Sequence, residues 1–105
     1  MTQTLNRAAN DVLAERERQI KQEGWTVEHD DQQHDAGDLC ASGAAYALNA
    51  ACLLHPHNGT SMDEPPDFWL FSKDWWKPTT ARRDLVKAGA LIIAEIERLD
   101  RQAQS

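Results

Sequence analysis

Residues 38–54, DLCASGAAYALNAACLL, decide the fold class. After one leading aspartate the run carries no charge, and its side chains are small and apolar nearly all round. A segment of this length without period-two alternation reads as a helix, and one apolar on every side suits a helix that its neighbours approach closely. The spacing predicts a central helix over about Ala36 to Leu54. Asp35 and Asp38 stand at cap and N3 spacing, favourable for the positive end of the helix dipole, and His55-Pro56 ends the run.

Two further helices flank it. Leu5, Ala9, Val12, Leu13, Arg16 and Ile20 recur at helical spacing, predicting a first helix from about Leu5 to Gln22 that buries one apolar face and stops at Gly24. A third helix begins after Thr79 or Thr80 and runs to about Arg101. Its broad apolar set, from Leu85 and Val86 to Ile96 and Leu99, leaves room for a core face and an oligomer face. Between them residues 55–79 hold Pro56, Gly59, Pro65, Pro66 and Pro78, too many breakers for a long helix, with a short turn possible around Phe68 to Phe71. The expected fold is all-α: one domain over residues 1–105, a small bundle of three main helices with a long Trp/Pro-rich connection, completed by oligomerisation because 105 residues supply only a modest core.

Charge narrows the function. Seventeen acidic against eleven basic residues give a formal charge of −6, which disfavours binding to a nucleic acid backbone. No signal-like N-terminus and no apolar run near the roughly 18 residues of a membrane span are present, so the chain is expected to be cytoplasmic and off the membrane. Cys40 and Cys52, twelve positions apart on one helix, are separated by roughly 18 Å and read as buried, unpaired thiols. His29, His34, His55 and His57 lack a zinc-binding spacing, although His34 in the acidic stretch could serve as a base.

Acidic groups recur where a metal would need them. Glu15 on the first helix is followed, after a chain reversal, by Glu28, Asp30, Asp31, Asp35 and Asp38. Hard oxygen ligands from separate elements are what Mg²⁺ or Mn²⁺ requires. Taken alone, the run Glu15, Glu17, Arg18, Gln19 reads as solvated surface, with Glu15 and Gln19 sharing a face and Arg18 beside Glu15. On the third helix Asp84 and Glu95 lie eleven positions apart and so point within roughly 20° of one another. With Lys87 they read as its solvent face. Trp25, Trp69, Trp75 or Trp76 could stack on a base while Arg18, Lys77, Arg82, Arg83 or Lys87 contacts phosphate, or the tryptophans could serve as core and rim. Tyr46, the only tyrosine, needs a partner for its hydroxyl, and a carboxylate of the acidic stretch would provide one.

The segments LAERERQIKQEGWTVEHDD, DLCASGAAYA, WWKP and RRDLVKAGALIIAEIERLDR, spread from Val12 to Arg101, resemble a set of small phage and prophage proteins loosely similar to MazG-type nucleoside triphosphate pyrophosphohydrolases. The resemblance implies a helical, oligomeric protein that uses Mg²⁺, held by an E-x-x-E pair and an E-x-x-D pair, to cleave a (deoxy)nucleotide to monophosphate and pyrophosphate. Carried onto this chain, it implies Glu15, Asp31, Asp35 and Asp38 as metal ligands. Glu15, Arg18 and Asp38 become the catalytic set, and Trp25, Tyr46, Trp75, Lys77 and Lys87 the substrate contacts. The chain departs from the pattern at Arg18, which stands three positions after Glu15 where the family's second glutamate belongs. The alternative expectation is a non-catalytic accessory protein that sequesters a nucleotide or inhibits a host protein.

Overall fold

A computed structural model describes residues 6–22, 37–57, 59–69 and 71–104. The described residues form three α-helices and one short 3₁₀ turn, with no strands: α1 (Arg7–Gln22), α2 (Asp38–Leu54), the 3₁₀ turn (Lys73–Trp75) and α3 (Ala81–Gln104). The all-α bundle read from the sequence is therefore the architecture observed.

The helix ends follow local chemistry. Asn6 caps α1, its Oδ1 accepting from the Ala9 N–H at 2.8 Å. Thr80 caps α3, its hydroxyl accepting from the Arg83 N–H at 3.1 Å. α2 begins two residues later than the sequence suggests, at Asp38, because Gly37 takes the N-cap position with φ 82°. That φ favours glycine. Asp38 still lies in the first turn, where its charge suits the dipole. His55 closes α2 in an extended conformation, as expected from His55-Pro56. The third helix continues to Gln104, beyond Arg101.

The centre of the bundle is α3, not α2. α3 packs along α2 and also across α1, while α1 and α2 barely meet among the described residues. Two glycines permit the close approaches. A Cβ on Gly43 would lie 3.2 Å from the Ala88 carbonyl oxygen and 3.2 Å from Ile92 Cγ1. A Cβ on Gly89 would lie 3.1 Å from Val12 Cγ1. The small residues of α2 thus serve one neighbouring helix, and its outer side is open: Cys40 is exposed and Cys52 half-buried, rather than the buried thiols the sequence suggests.

The connection folds back over the α2–α3 pair and supplies the core's aromatic mass. Leu39, Tyr46, Trp69, Trp76 and Leu91 form the heart of the apolar cluster, with Met62 and Phe71 packed against it. Tyr46 stacks on Trp76 at 4.9 Å and meets Trp69 edge-on at 5.8 Å. The indole N–H groups are satisfied by the connection's own backbone, Trp69 donating to the Ser72 carbonyl at 3.1 Å and Trp76 to that of Met62 at 3.4 Å. A 3₁₀ turn lies at Lys73–Trp75, stabilised by Ser72 Oγ accepting from the Asp74 N–H; of the turn expected around Phe68 to Phe71, Leu70 lies outside the described residues, and the Trp69 N–H donates to the Pro66 carbonyl at 2.9 Å just before it.

A buried polar clip holds this arrangement. Asp84 is fully buried; its carboxylate accepts from Asn49 Nδ2 at 2.7 Å and from the Thr79 N–H at 2.8 Å. Asn49 in turn accepts from the Met62 N–H at 2.6 Å and the Ser61 hydroxyl at 3.3 Å. One side-chain pair thereby fixes α2, α3 and both ends of the connection. Asp84 and Glu95 are buried, 0% and 8% exposed, so the expected solvent face of the third helix is an inner face. Periodicity placed them together correctly, but each has a partner that removes the reason to face water: Asn49 for Asp84, and Arg98, at 2.8 Å, for Glu95. Among the described residues no helix is long and apolar enough to cross a membrane.

Replacing Asn49 with leucine strips a donor from a buried carboxylate and an acceptor from the Met62 N–H. The expected loss of unfolding free energy is about 2–3 kcal/mol, read from urea denaturation. Glu64→Ala, which removes an exposed pair with Lys73, should leave the midpoint unmoved. Equal shifts for the two variants would refute the clip.

Candidate functional site

A cavity of about 410 Å³ opens where α1, α3 and the connection converge on α2. Its size is within the range of small-molecule sites. α1 contributes Glu15, Arg18 and Gln19, and α3 contributes Arg83, Lys87 and Leu91. Tyr46 of α2 meets Trp69, Phe71, Trp75, Lys77 and Thr79 of the connection around the other side.

Glu15 is the anchor of the cationic side. Its carboxylate is 1% exposed and accepts a bidentate pair from Arg18, Nε and an Nη both at 2.8 Å. Gln19 Nε2 donates to the same carboxylate at 3.2 Å, and an Nη of Arg83, from the far end of the chain, completes the set. Four donors occupy the two oxygens, about as many as a carboxylate can accept. Burial pushes the Glu15 carboxyl upward, but the Arg18 hydrogen bond and the charges of Arg83 and Arg18, with help from Gln19, outweigh it and hold the pKa below its ordinary 4.5. The inner face of α1 is therefore Glu15, Arg16 and Gln19, while Leu13 of the expected apolar stripe is 47% exposed.

Lys87 and Tyr46 join the two sides. The Lys87 ammonium donates to the Lys77 carbonyl at 2.6 Å and lies 5.2 Å from the Tyr46 ring centroid. Burial depresses its pKa, and Arg83 and Arg18 add to this against the pull of Asp84 and Glu15. The Tyr46 hydroxyl accepts from the Lys77 N–H at 3.1 Å and donates to the Trp75 carbonyl at 3.4 Å. Backbone of the connection meets the need that the sequence exposed, while the acidic stretch expected to provide a carboxylate lies outside the described residues. Trp75 stays 47% exposed at the rim with the Lys77 ammonium 5.8 Å from its ring.

The expected site residues divide accordingly. Glu15, Arg18, Tyr46, Trp75, Lys77 and Lys87 all line this one cavity. Asp38, half-buried in the first turn of α2, does not line it. Trp25, Asp31 and Asp35 lie outside the described residues, as do the acidic stretch and His34. Among the described residues no group of three or more His, Cys, Asp or Glu side chains is placed to hold a metal ion. With its oxygens occupied, Glu15 does not fit as a ligand for Mg²⁺ in this arrangement. Phe71, Thr79 and Leu91 went unnoticed in the sequence, where nothing separates them from other connection and core residues.

One polar atom of the lining has no partner. Gln19 is 2% exposed and its buried Oε1 accepts no hydrogen bond. An unmet buried acceptor costs about 1–3 kcal/mol.

No protein-family model matches the chain, and neither the curated proteins nor the solved structures contain a significant match. What the cavity does must be argued from its chemistry.

The lowered Glu15 pKa gives a signed expectation. Its contribution to stability is fully present above the unfolded value near 4.5 and is lost as the pH falls through the lower folded value. Glu15→Gln should cost about 2–3 kcal/mol at pH 7, below the roughly 3–5 of fully buried pairs because Arg18 and Arg83 remain partly exposed. Urea melts of both proteins from pH 7 to pH 3 should show the difference shrinking in acid. A difference independent of pH would rule out the charge as its cause.

Proposed function

We propose that the chain binds a nucleotide in this cavity, a (deoxy)nucleoside phosphate whose base lies against the aromatic side and whose phosphates meet the basic one. The observation that carries this reading is the company, among the described lining residues, of four cations with a single, already neutralised carboxylate, in a cavity that also presents Tyr46, Trp69 and Trp75. Guanidinium groups offer forked donors to phosphate, and aromatic faces accept any base. The likeness of the sequence to MazG-type proteins of phages supports the same ligand class. The saturated Glu15 carboxylate favours binding without turnover, the sequestering form of the alternative.

Hydrolysis of a triphosphate to monophosphate and pyrophosphate is the second reading. It requires Mg²⁺ or Mn²⁺, whose chemistry is to neutralise phosphate charge and activate water. Since Glu15 is occupied, the ligands would come from Asp31, Asp35 and Asp38. Quenching of tryptophan fluorescence by ribo- and deoxynucleoside triphosphates, with and without each metal, tests binding, and mass spectrometry of the same mixtures tests cleavage. Arg83→Ala should weaken binding at least about tenfold, roughly 1.4 kcal/mol. No quenching by any nucleotide would overturn the proposal. Metal-dependent monophosphate and pyrophosphate would replace sequestration with catalysis.

We also infer self-association through α3. Leu85, Ile92, Ile96 and Leu99 are between 44% and 51% exposed. Their spacing of seven, four and three is that of a seam packed by another helix. Light scattering should show an oligomer, and Ile96→Glu should give monomer. A monomeric wild type would remove this inference.

A further inference from the structure

Lys87 is a basic group of the cavity whose acidic neighbours are already occupied. Asp84, one turn earlier on α3, accepts from Asn49 and Thr79. Glu15, across on α1, accepts from Arg18, Gln19 and Arg83. Among the described residues the Lys87 ammonium is left with the Lys77 carbonyl at 2.6 Å and the Tyr46 ring, its centroid 5.2 Å away. An ammonium has three hydrogens to donate, and neither a carbonyl nor a ring face cancels its charge. The bond to Lys77 is open to solvent, and Lys77, Tyr46 and Lys87 all line the cavity. The nitrogen is therefore within reach of a ligand although the side chain is half-buried.

The groups around the amine decide how much of it is protonated. Burial lowers its pKa; Asp84 on α3 and Glu15 on α1 oppose this, while Arg83 on α3 and Arg18 on α1 reinforce it. α2 presents Tyr46 and the connection presents Lys77, neither of them a carboxylate. Near neutral pH a larger share of Lys87 than of an ordinary lysine is the free amine, and the free amine is the nucleophile. We propose that Lys87 forms a reversible imine with an aldehyde that carries an anionic group. The amine nitrogen attacks the carbonyl carbon and a carbon–nitrogen bond forms; the carbonyl oxygen leaves as water with both amine hydrogens, and water reverses the step. No oxidant or reductant takes part. Once protonated, the imine nitrogen carries one hydrogen, enough to keep the donation to the Lys77 carbonyl. Arg83 stands four residues before Lys87, on the same side of α3 and about 6 Å back along its axis. Its side chain is 40% exposed and lines the cavity. An anionic group a few atoms from the aldehyde meets it there, while Tyr46, Trp69 and Phe71 take the body of the ligand. Imine formation uses the same cavity as nucleotide binding and does not depend on it.

Two aldehydes alike in shape, 4-formylbenzoate and the uncharged 4-formylbenzamide, test the site. Each is incubated with the full chain at about pH 7 and trapped with cyanoborohydride, which reduces the imine to a stable amine. Peptide mass mapping then gives the rate at each of the four lysines. Lys73 is the internal control: it is exposed, and its hydrogen bond to Glu64, with the charge of that carboxylate, raises its pKa. Formylbenzoate should label Lys87 at least about tenfold faster than Lys73, although Lys73 is the more accessible of the two. Formylbenzamide should be about tenfold slower than formylbenzoate at Lys87 and no slower at Lys73. Lys87 labelled no faster than Lys73, or labelling that favours Lys77, overturns the assignment of the amine. Equal rates for the two aldehydes at Lys87 overturn the anionic ligand. Fluorescence quenching by nucleotides is read without aldehyde, so either failure leaves the nucleotide reading standing.

Discussion

The buried carboxylate of Glu15 is the interaction on which the rest of the site depends. α1 has little apolar surface with which to hold its place: Val12 seats against Gly89, but the residues it buries most deeply are Glu15, Arg16 and Gln19. Its attachment to α3 is largely ionic, through Glu15 to Arg83, Asp11 to Arg82 at 2.9 Å and Arg16 to Glu97 at 3.1 Å. Glu15 and Arg16 are the buried members of these pairs, and Glu15 is the one shared among several donors, so its bonds escape much of the screening that weakens exposed pairs. The same carboxylate sets the charge of the cavity. It neutralises part of two guanidinium groups and fixes their planes.

The opposite side of the cavity is held by a different device. The connection between α2 and α3 has no long helix of its own, and its order comes from tying its backbone to buried side chains. Asn49 takes the Met62 N–H, Asp84 takes that of Thr79, and Tyr46 takes that of Lys77 while donating to the Trp75 carbonyl. Three side chains on two rigid helices thus position Trp75 and Lys77. Precision in such a site comes from the helices, because the loop inherits it through these bonds.

This division explains what was legible in the sequence. Helix positions were, because a period near 3.6 is a local property, and the caps at Thr80 and His55 are local as well. The common side of Asp84 and Glu95 was also legible. Its burial was not, since Asn49 stands 35 positions from Asp84 and only the fold brings the two together. The first helix misled in the same way. Its apolar stripe pointed to Leu13, but the partner that decides which side faces inward is Arg83, 68 positions on from Glu15. Arg18, three positions after Glu15 and so on the same face of a helix, was visible from the start, and the structure gives it a purpose: it supplies the bidentate half of the carboxylate's shell. The Glu15, Arg18, Gln19 triplet at helical spacing was the available signal that the inner face was polar.

The chain carries a formal charge of −6, yet the described cavity lining has four cations to one carboxylate. The two facts act at different ranges. At physiological ionic strength charges beyond about 8 Å are screened, so a small phosphate inside the cavity experiences chiefly the guanidinium and ammonium groups around it. An acidic chain and a locally basic cavity are therefore compatible. Burial also depresses the Lys87 pKa, and an anion beside the ammonium would raise it again. Binding of phosphate and protonation of Lys87 are accordingly linked, each strengthening the other.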